Sequence, residues 1–120
     1  MATVDLKSEE FNRVIEKDGI VLVDFWAAWC GPCKSFGPIF EAASEKYPDI
    51  TFAKVDTDAE QEISAAAGIS SIPTLMIFRD GILLFSQPGA LPGPALDDLI
   101  SQVSALDMDQ VRKEISADLT

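Results

Sequence analysis

The stretch DFWAAWCGPCKSF, Asp24 to Phe36, holds both cysteines of the chain, two residues apart. Such a pair can be half of a metal site, a structural disulfide or a reactive dithiol, and its surroundings decide between them. Upstream, GIVLVDFWA (19–27) is a short, nearly continuous apolar run rich in β-branched residues, the pattern of a strand buried on both faces. Downstream, KSFGPIFEAASEKY (34–47) has helical spacing, with Phe36, Ile39, Phe40 and Ala43 directed inward and a kink expected at Pro38. The cysteines thus fall where a central strand hands over to a helix. In an open α/β sheet, that carboxyl end of a strand is where sites are built.

The same reading extends outward. SEEFNRVIEK (8–17) predicts a helix capped by Ser8, with Phe11, Val14 and Ile15 on one face. DITFAKVDTD (49–58) predicts a second buried strand. DAEQEISAAAG (58–68) predicts a short helix capped by Asp58, with Gln61 reaching back and Gly68 ending it. TLMIF and ILLFS, joined by RDG (79–81), predict a hairpin, because Asp-Gly between apolar runs supplies the positive φ angles a tight turn needs. GPALDDLISQVSAL (93–106) predicts a helix with Leu96, Leu99, Ile100 and Val103 inward. Strands alternating with helices, then a hairpin, imply an α/β fold: a central mixed sheet flanked by helices on both faces.

At 120 residues the chain is expected to form one domain. Its formal net charge of −11 opposes nucleic acid or an anionic membrane as partner, since both are polyanions, and otherwise describes a well-solvated surface. MATVDLKSEEF places charges where a secretory leader needs an apolar run, and GIVLVDFWAAW is too short to cross a bilayer. The expected compartment is therefore the reducing cytoplasm, where a structural disulfide is disfavoured and a paired CxxC is more often catalytic or metal-binding. A structural zinc site needs four ligands. With two cysteines and no histidine, only a site shared between two chains would supply them.

The redox reading fits the local chemistry. A cysteine opening a helix sits beside unpaired N–H groups and the positive end of the dipole, which favour its thiolate. Cys30 is then expected as the exposed attacker and Cys33, one turn inward, as the buried resolver. Gly31 permits close approach of another chain, and Pro32 suits a first helical turn, where its missing N–H costs nothing. Trp29 either shields the reactive sulfur and contacts an incoming protein or is an ordinary core aromatic, whereas Trp26 reads as packing. Two charges interrupt the apolar runs, Asp24 in VLVDFW and Lys54 in TFAKVD. Buried ions cost several kcal/mol unless paired or neutralised. Either one or both side chains reach the surface at a strand end, or they form a pair beneath the dithiol. In the second case Asp24, tuned by Lys54, takes the proton from Cys33 as it attacks.

VLVDFWAAWCGPCK, AKVDTD, GISSIPTLMIF, DGILLF and GAL together resemble the thioredoxin family of the cytosolic bacterial type, in register from about Thr3 to Leu106. WCGPCK preceded by VDFWA is specific, whereas a lone CxxC would not be. The resemblance implies a thioredoxin fold and a protein-disulfide reductase working through a Cys30–Cys33 redox disulfide. It implies no bound cofactor or metal, with electrons arriving from NADPH through a flavoprotein, thioredoxin reductase. Its partners would be that reductase and disulfide-containing proteins such as peroxiredoxins, ribonucleotide reductase and methionine sulfoxide reductase, met by a monomer. Asp24 matches the family's buried acid and Lys54 the lysine beside it. Pro73 in SIPT matches the cis-proline facing the dithiol, with the Ile72 backbone pairing a substrate strand. Gly89 matches a glycine that leaves room for substrate, although by itself it reads as a turn glycine.

Two features depart from the family. Pro88 precedes the matched glycine in a loop expected to rim the site, where it can alter loop stiffness and partner choice. The tail LDMDQVRKEISADLT extends beyond the expected domain (1–106) as a helical extension (107–120), with Asp107 as cap and Gln110 three residues on. Its stripe of Met108, Val111, Ile115 and Leu119 fits an extra helix packed on the domain, a docking element or a frayed end. Two other functional classes remain open: an interaction module in which the fold matters and the dithiol does not, and a disulfide oxidant or isomerase. Pro32 in the second intervening position favours the reductant.

Overall fold

In a computed structural model, which describes residues 2–118, the chain runs β1 (Thr3–Asp5), α1 (Ser8–Ile15), β2 (Ile20–Trp26), α2 (Gly31–Lys46), β3 (Thr51–Asp56), α3 (Gln61–Ala66), β4 (Thr74–Arg79), β5 (Ile82–Pro88), α4 (Gly93–Ala105) and α5 (Met108–Asp118). The strands form one mixed sheet in the order β1-β3-β2-β4-β5. β1 and β2 lie parallel to β3, while β4 is antiparallel to β2 and to β5. The continuous apolar run of β2 is explained by its central place. Val21, Leu22, Val23 and Phe25 lose essentially all solvent contact because both sheet faces are covered.

Alternation along the strands divides the core in two. Val21, Val23, Phe25, Val55 and Phe78 pack against Phe11 of α1 and Ile63 of α3. Leu22, Phe52, Leu75 and Ile77 pack on the other face against Phe36 and Phe40 of α2 and Leu96 and Ile100 of α4. Asp24 and Lys54, two residues beyond Leu22 and Phe52, share the α2 side, because side chains repeat every second residue. The hairpin turn has φ +53° at Asp80 and +80° at Gly81, the left-handed pair that Asp-Gly supplies.

Several local expectations change. β1 was not foreseen in the sequence. Ser8 does not cap α1. Lys7 holds that position, and Ser8 donates its backbone N–H to Glu60 Oε1 at 2.9 Å and its hydroxyl at 3.3 Å. α2 begins at Gly31, with the CxxC opening it and Pro32 in its first turn as expected, and continues through Pro38. Asp58 does not cap α3, whose N-cap is Glu60. Asp56 Oδ1 instead accepts the N–H groups of Asp58 and Ala59, and Gln61 Nε2 donates to the Asp58 carbonyl. Gly68 closes α3 with φ +70°, as expected. In the extension, Asp107 Oδ1 accepts from the N–H groups of Asp109 and Gln110, as a cap should, while the Gln110 side chain turns to Glu114. Met108 is buried, Val111 is half-buried and Ile115 is exposed; Leu119 lies outside the described residues.

Candidate functional site

The end of β2 builds the site. Ala27 accepts the N–H of Cys30 at 3.2 Å, and Cys30, in extended conformation, becomes the N-cap of α2, with Pro32 in the first helical turn. Its sulfur accepts the N–H of Cys33 at 3.2 Å, so one of the helix's otherwise unpaired donors points at it. Cys30 and Cys33 are joined as a disulfide with Cα atoms 5.2 Å apart. The expected contrast in exposure is absent: Cys30 is 4% exposed and Cys33 5%. Trp26 and Ile72 pack around the pair together with Ala27, so the oxidised sulfurs share one enclosure. What separates the two cysteines is the helix-end geometry.

The loop before β4 faces this corner. Cys30 Sγ lies 3.6 Å from the Ile72 carbonyl oxygen, and the Ile72–Pro73 peptide is cis. Gly89 donates its N–H to the Pro73 carbonyl at 2.8 Å while holding φ +109°, a conformation that side chains oppose. A Cβ there would meet no atom within 4 Å, so open space lies before it, as it does at Gly31. Pro88, at the end of β5, pairs in register with Thr74. Trp29 is no core aromatic. It is 69% exposed, and its indole Nε1 donates to Asp58 Oδ2 at 3.0 Å. With Thr57, Ile69, Ser70, Ser71 and Ile72 it lines a groove of about 180 Å³ beside the dithiol.

Beneath, Asp24 and Lys54 are register partners on the parallel strands β2 and β3. Asp24 has no solvent exposure, and among the described residues neither of its carboxyl oxygens has a hydrogen-bond partner. Burial raises its pKa from 3.8 to about 7, with the Lys54 charge opposing the rise. The two residues are neighbours, yet among the described residues no ion pair joins them. The Lys54 ammonium lies 5.0 Å from the centre of the Trp26 ring instead. Cys30, Cys33, Asp24, Lys54, Trp29, Gly31, Pro32, Ile72, Pro73 and Gly89 thus gather at the carboxyl end of β2 and β3. The sequence did not reveal Asp58 as the partner of Trp29 or Trp26 as the partner of Lys54. Both contacts arise from the parallel register of β2 and β3, which carries Asp58 past the strand end on the side of the dithiol.

The arrangement can hold a sulfur nucleophile at a helix start, a second sulfur in disulfide reach of it, and a buried acid titrating near neutrality. A family model described as Thioredoxin matches residues 2–104. A relative in Streptomyces coelicolor, named putative thioredoxin 2, is 55% identical over 115 residues, which cover 96% of this chain and 86% of that protein. A thioredoxin of Coprinus comatus is 42% identical over 104 residues, covering 85% of this chain and 97% of that one. The crystal structure of Malassezia sympodialis thioredoxin superposes with a TM-score of 0.77 at 37% identity, covering 86% of this chain and 91% of its own. With a matching model over most of its length and a Cys-x-x-Cys pair seated at the helix start, the chain belongs to the thioredoxin family, oxidoreductases that act on protein disulfides by thiol–disulfide exchange.

Proposed function

We propose that the protein is a reductant of protein disulfides, with Cys30 as nucleophile and Cys33 as resolving thiol. The observation that carries the assignment of Cys30 as nucleophile is the Cys33 N–H directed at Cys30 Sγ at the start of α2, which favours negative charge on that sulfur. In the reduced protein the Cys30 thiolate attacks one sulfur of a substrate disulfide. That bond breaks, a mixed disulfide forms, and the released substrate thiolate takes a proton from water. Cys33 then gives its proton to the Asp24 carboxylate and attacks Cys30 Sγ, expelling the second substrate thiolate. Two electrons pass to the substrate, and the protein is left with the Cys30–Cys33 disulfide.

The supporting residues divide around these steps. Lys54 tunes Asp24, Trp29 and the Ile72 backbone receive the substrate chain, Pro73 holds that backbone against the sulfurs, and Gly31 and Gly89 leave it space. Pro32 starts the helix. Regeneration takes two electrons from NADPH through a flavoprotein thioredoxin reductase, with no cofactor bound by this chain. The work belongs in the cytoplasm, by a monomer, on targets of the peroxiredoxin, ribonucleotide reductase and methionine sulfoxide reductase kinds. Among the described residues no helix is long and apolar enough to cross a membrane.

Equilibration of the dithiol with glutathione of known ratio tests the direction of flow. A potential below the cytosolic poise, roughly −220 to −260 mV, supports a reductant, and a value nearer about −180 mV would make the protein an oxidant or isomerase. In parallel, Cys33→Ser is expected to accumulate mixed disulfides with target proteins and Cys30→Ser to accumulate none. A Cys30→Ser/Cys33→Ser protein that still fulfilled its cellular role would favour an interaction module.

A further inference from the structure

Asp24 and Lys54 face each other across adjacent strands, and the ammonium nonetheless sits on an aromatic ring while both carboxyl oxygens lack a hydrogen-bond partner among the described residues. An acid and a base one strand apart should close into an ion pair unless something competes for the base. The competitor is in place. Trp26 follows Asp24 by two residues, so both project to the same face of β2, and the Lys54 side chain reaches across from β3. At 5.0 Å from the ring centre, the ammonium is within cation–π range of tryptophan, the aromatic that binds cations best. The indole is itself anchored, packed with Ile72 against the Cys30–Cys33 cluster. We infer that Trp26 is a positioning residue for the disulfide exchange: its ring detains the Lys54 ammonium and so keeps it off the Asp24 carboxylate.

The consequence is chemical. An ion pair would lower the Asp24 midpoint and make it a weaker base, whereas a detained lysine leaves it better able to accept a proton near neutral pH. The charged and titratable surroundings are few. Lys54 comes from β3, the Cys30–Cys33 pair at the start of α2 packs with Trp26, and β4 contributes Leu75 opposite Asp24. The inference deepens the reading of Asp24 as proton acceptor and rests on it. Its test uses the oxidised protein at rest, so it can fail separately from turnover.

The Asp24 carboxyl is titrated by carbon NMR in wild type, Trp26→Leu, Trp26→Phe, Lys54→Gln and the Lys54→Gln/Trp26→Leu double variant. Trp26→Leu is expected to lower the midpoint by about one pH unit as the ammonium moves to the carboxylate. Trp26→Phe, which keeps a ring, should recover most of that shift. With Lys54 replaced by Gln, the Trp26→Leu change should no longer lower it. A fall that persists without Lys54 would assign the effect to water reaching Asp24 and overturn the inference. A midpoint that stays or rises in Trp26→Leu would do the same, because the released ammonium would then have gone to solvent. Should Trp26→Leu fail to fold, graded fluorination of tryptophan in a Trp29→Phe protein weakens the ring's attraction without changing its shape. The midpoint should then fall with each added fluorine, and an invariant midpoint refutes the role. The pH profile of disulfide reduction should move with the carboxyl midpoint in every variant that folds.

Discussion

Asp24 is held where it harms stability, and the pH dependence of that harm is its signature. Burial raises its pKa from 3.8 to about 7, so the folded protein binds the proton more tightly than the unfolded chain. Well below pH 4 both states are protonated and nothing is lost. As pH rises from 4 to 7 the unfolded chain ionises first, so stability declines, and above about pH 7 the loss levels off at on the order of 4 kcal/mol. Asp24→Asn should therefore be more stable than wild type at pH 8 by a few kcal/mol, with the gain gone well below pH 4. Urea unfolding across that range checks it, and a pH-independent difference would contradict a buried acid. The same variant should slow resolution of the mixed disulfide by about 10²-fold or more at neutral pH. Gly89 offers a second check at this scale. With φ +109° and open space before it, Gly89→Ala should cost about 1–2 kcal/mol through backbone strain alone, which thermal unfolding would detect. Asp24 and Lys54 were legible because charges inside apolar strands need a reason. Asp58 was not, since an acid ahead of a helical stretch already has a local use as a cap. Its bond to Trp29 joins residues 29 positions apart.

The extension is the element whose role the fold narrows. Arg79 donates to the carbonyls of Val103, Ser104 and Leu106, closing the end of α4, and Asp80 next to it meets Arg112 of α5 at 3.7 Å. Asp80 also accepts the Gly19 N–H at 2.8 Å, so the β4–β5 turn is tied to the start of β2 and to the tail. α5 is fixed at its first turn, where Met108 is 6% exposed, and loosens outward to Ile115 at 40%. Ending the chain after Leu106 should thus cost about 2 kcal/mol, mostly from the lost Met108 contacts, because the Arg112 pair is exposed and worth little. Disulfide reduction should be unchanged, since the site lies at the opposite end of β2 from Gly19. Calorimetry beside an insulin-reduction assay checks both, and a truncated protein as stable as the full chain would mean that α5 does not dock. Long elements with a clear period were readable in the sequence: β2 by its apolar run, α4 by its stripe, the hairpin by Asp-Gly. β1 was not, because three residues, TVD, carry no period and are a strand only through pairing with β3. The start of α1 was misread for a related reason, as the Ser8 donors are claimed by Glu60, 52 residues away.

Across the whole molecule, the sheet brings together what the chain separates, and the net charge governs what approaches it. That the sheet is mixed and covered on both faces followed from the order of elements. Its strand order depends on pairings over long sequence distances that no local pattern encodes. Charge, by contrast, is read directly: −11 over 120 residues surrounds the protein with a negative field. The rim of the site shares it, since Asp58 beside the exposed Trp29 is itself solvent-exposed. Substrates whose disulfide is flanked by lysine and arginine should therefore be reduced faster than acidic ones of the same length. The preference belongs to encounter, not to chemistry, so it should appear in kcat/KM and leave kcat alone. At about 20 mM salt the basic peptide should lead by roughly tenfold or more. At a few hundred millimolar, where charges are screened within less than about 10 Å, the two should converge. Lowering the pH toward the sequence pI of about 4.1 removes the field by another route and should narrow the gap in the same way. A preference that survives both salt and acid would place selectivity in the groove between Trp29 and Ile72, in side-chain fit, and not in the charge of the molecule.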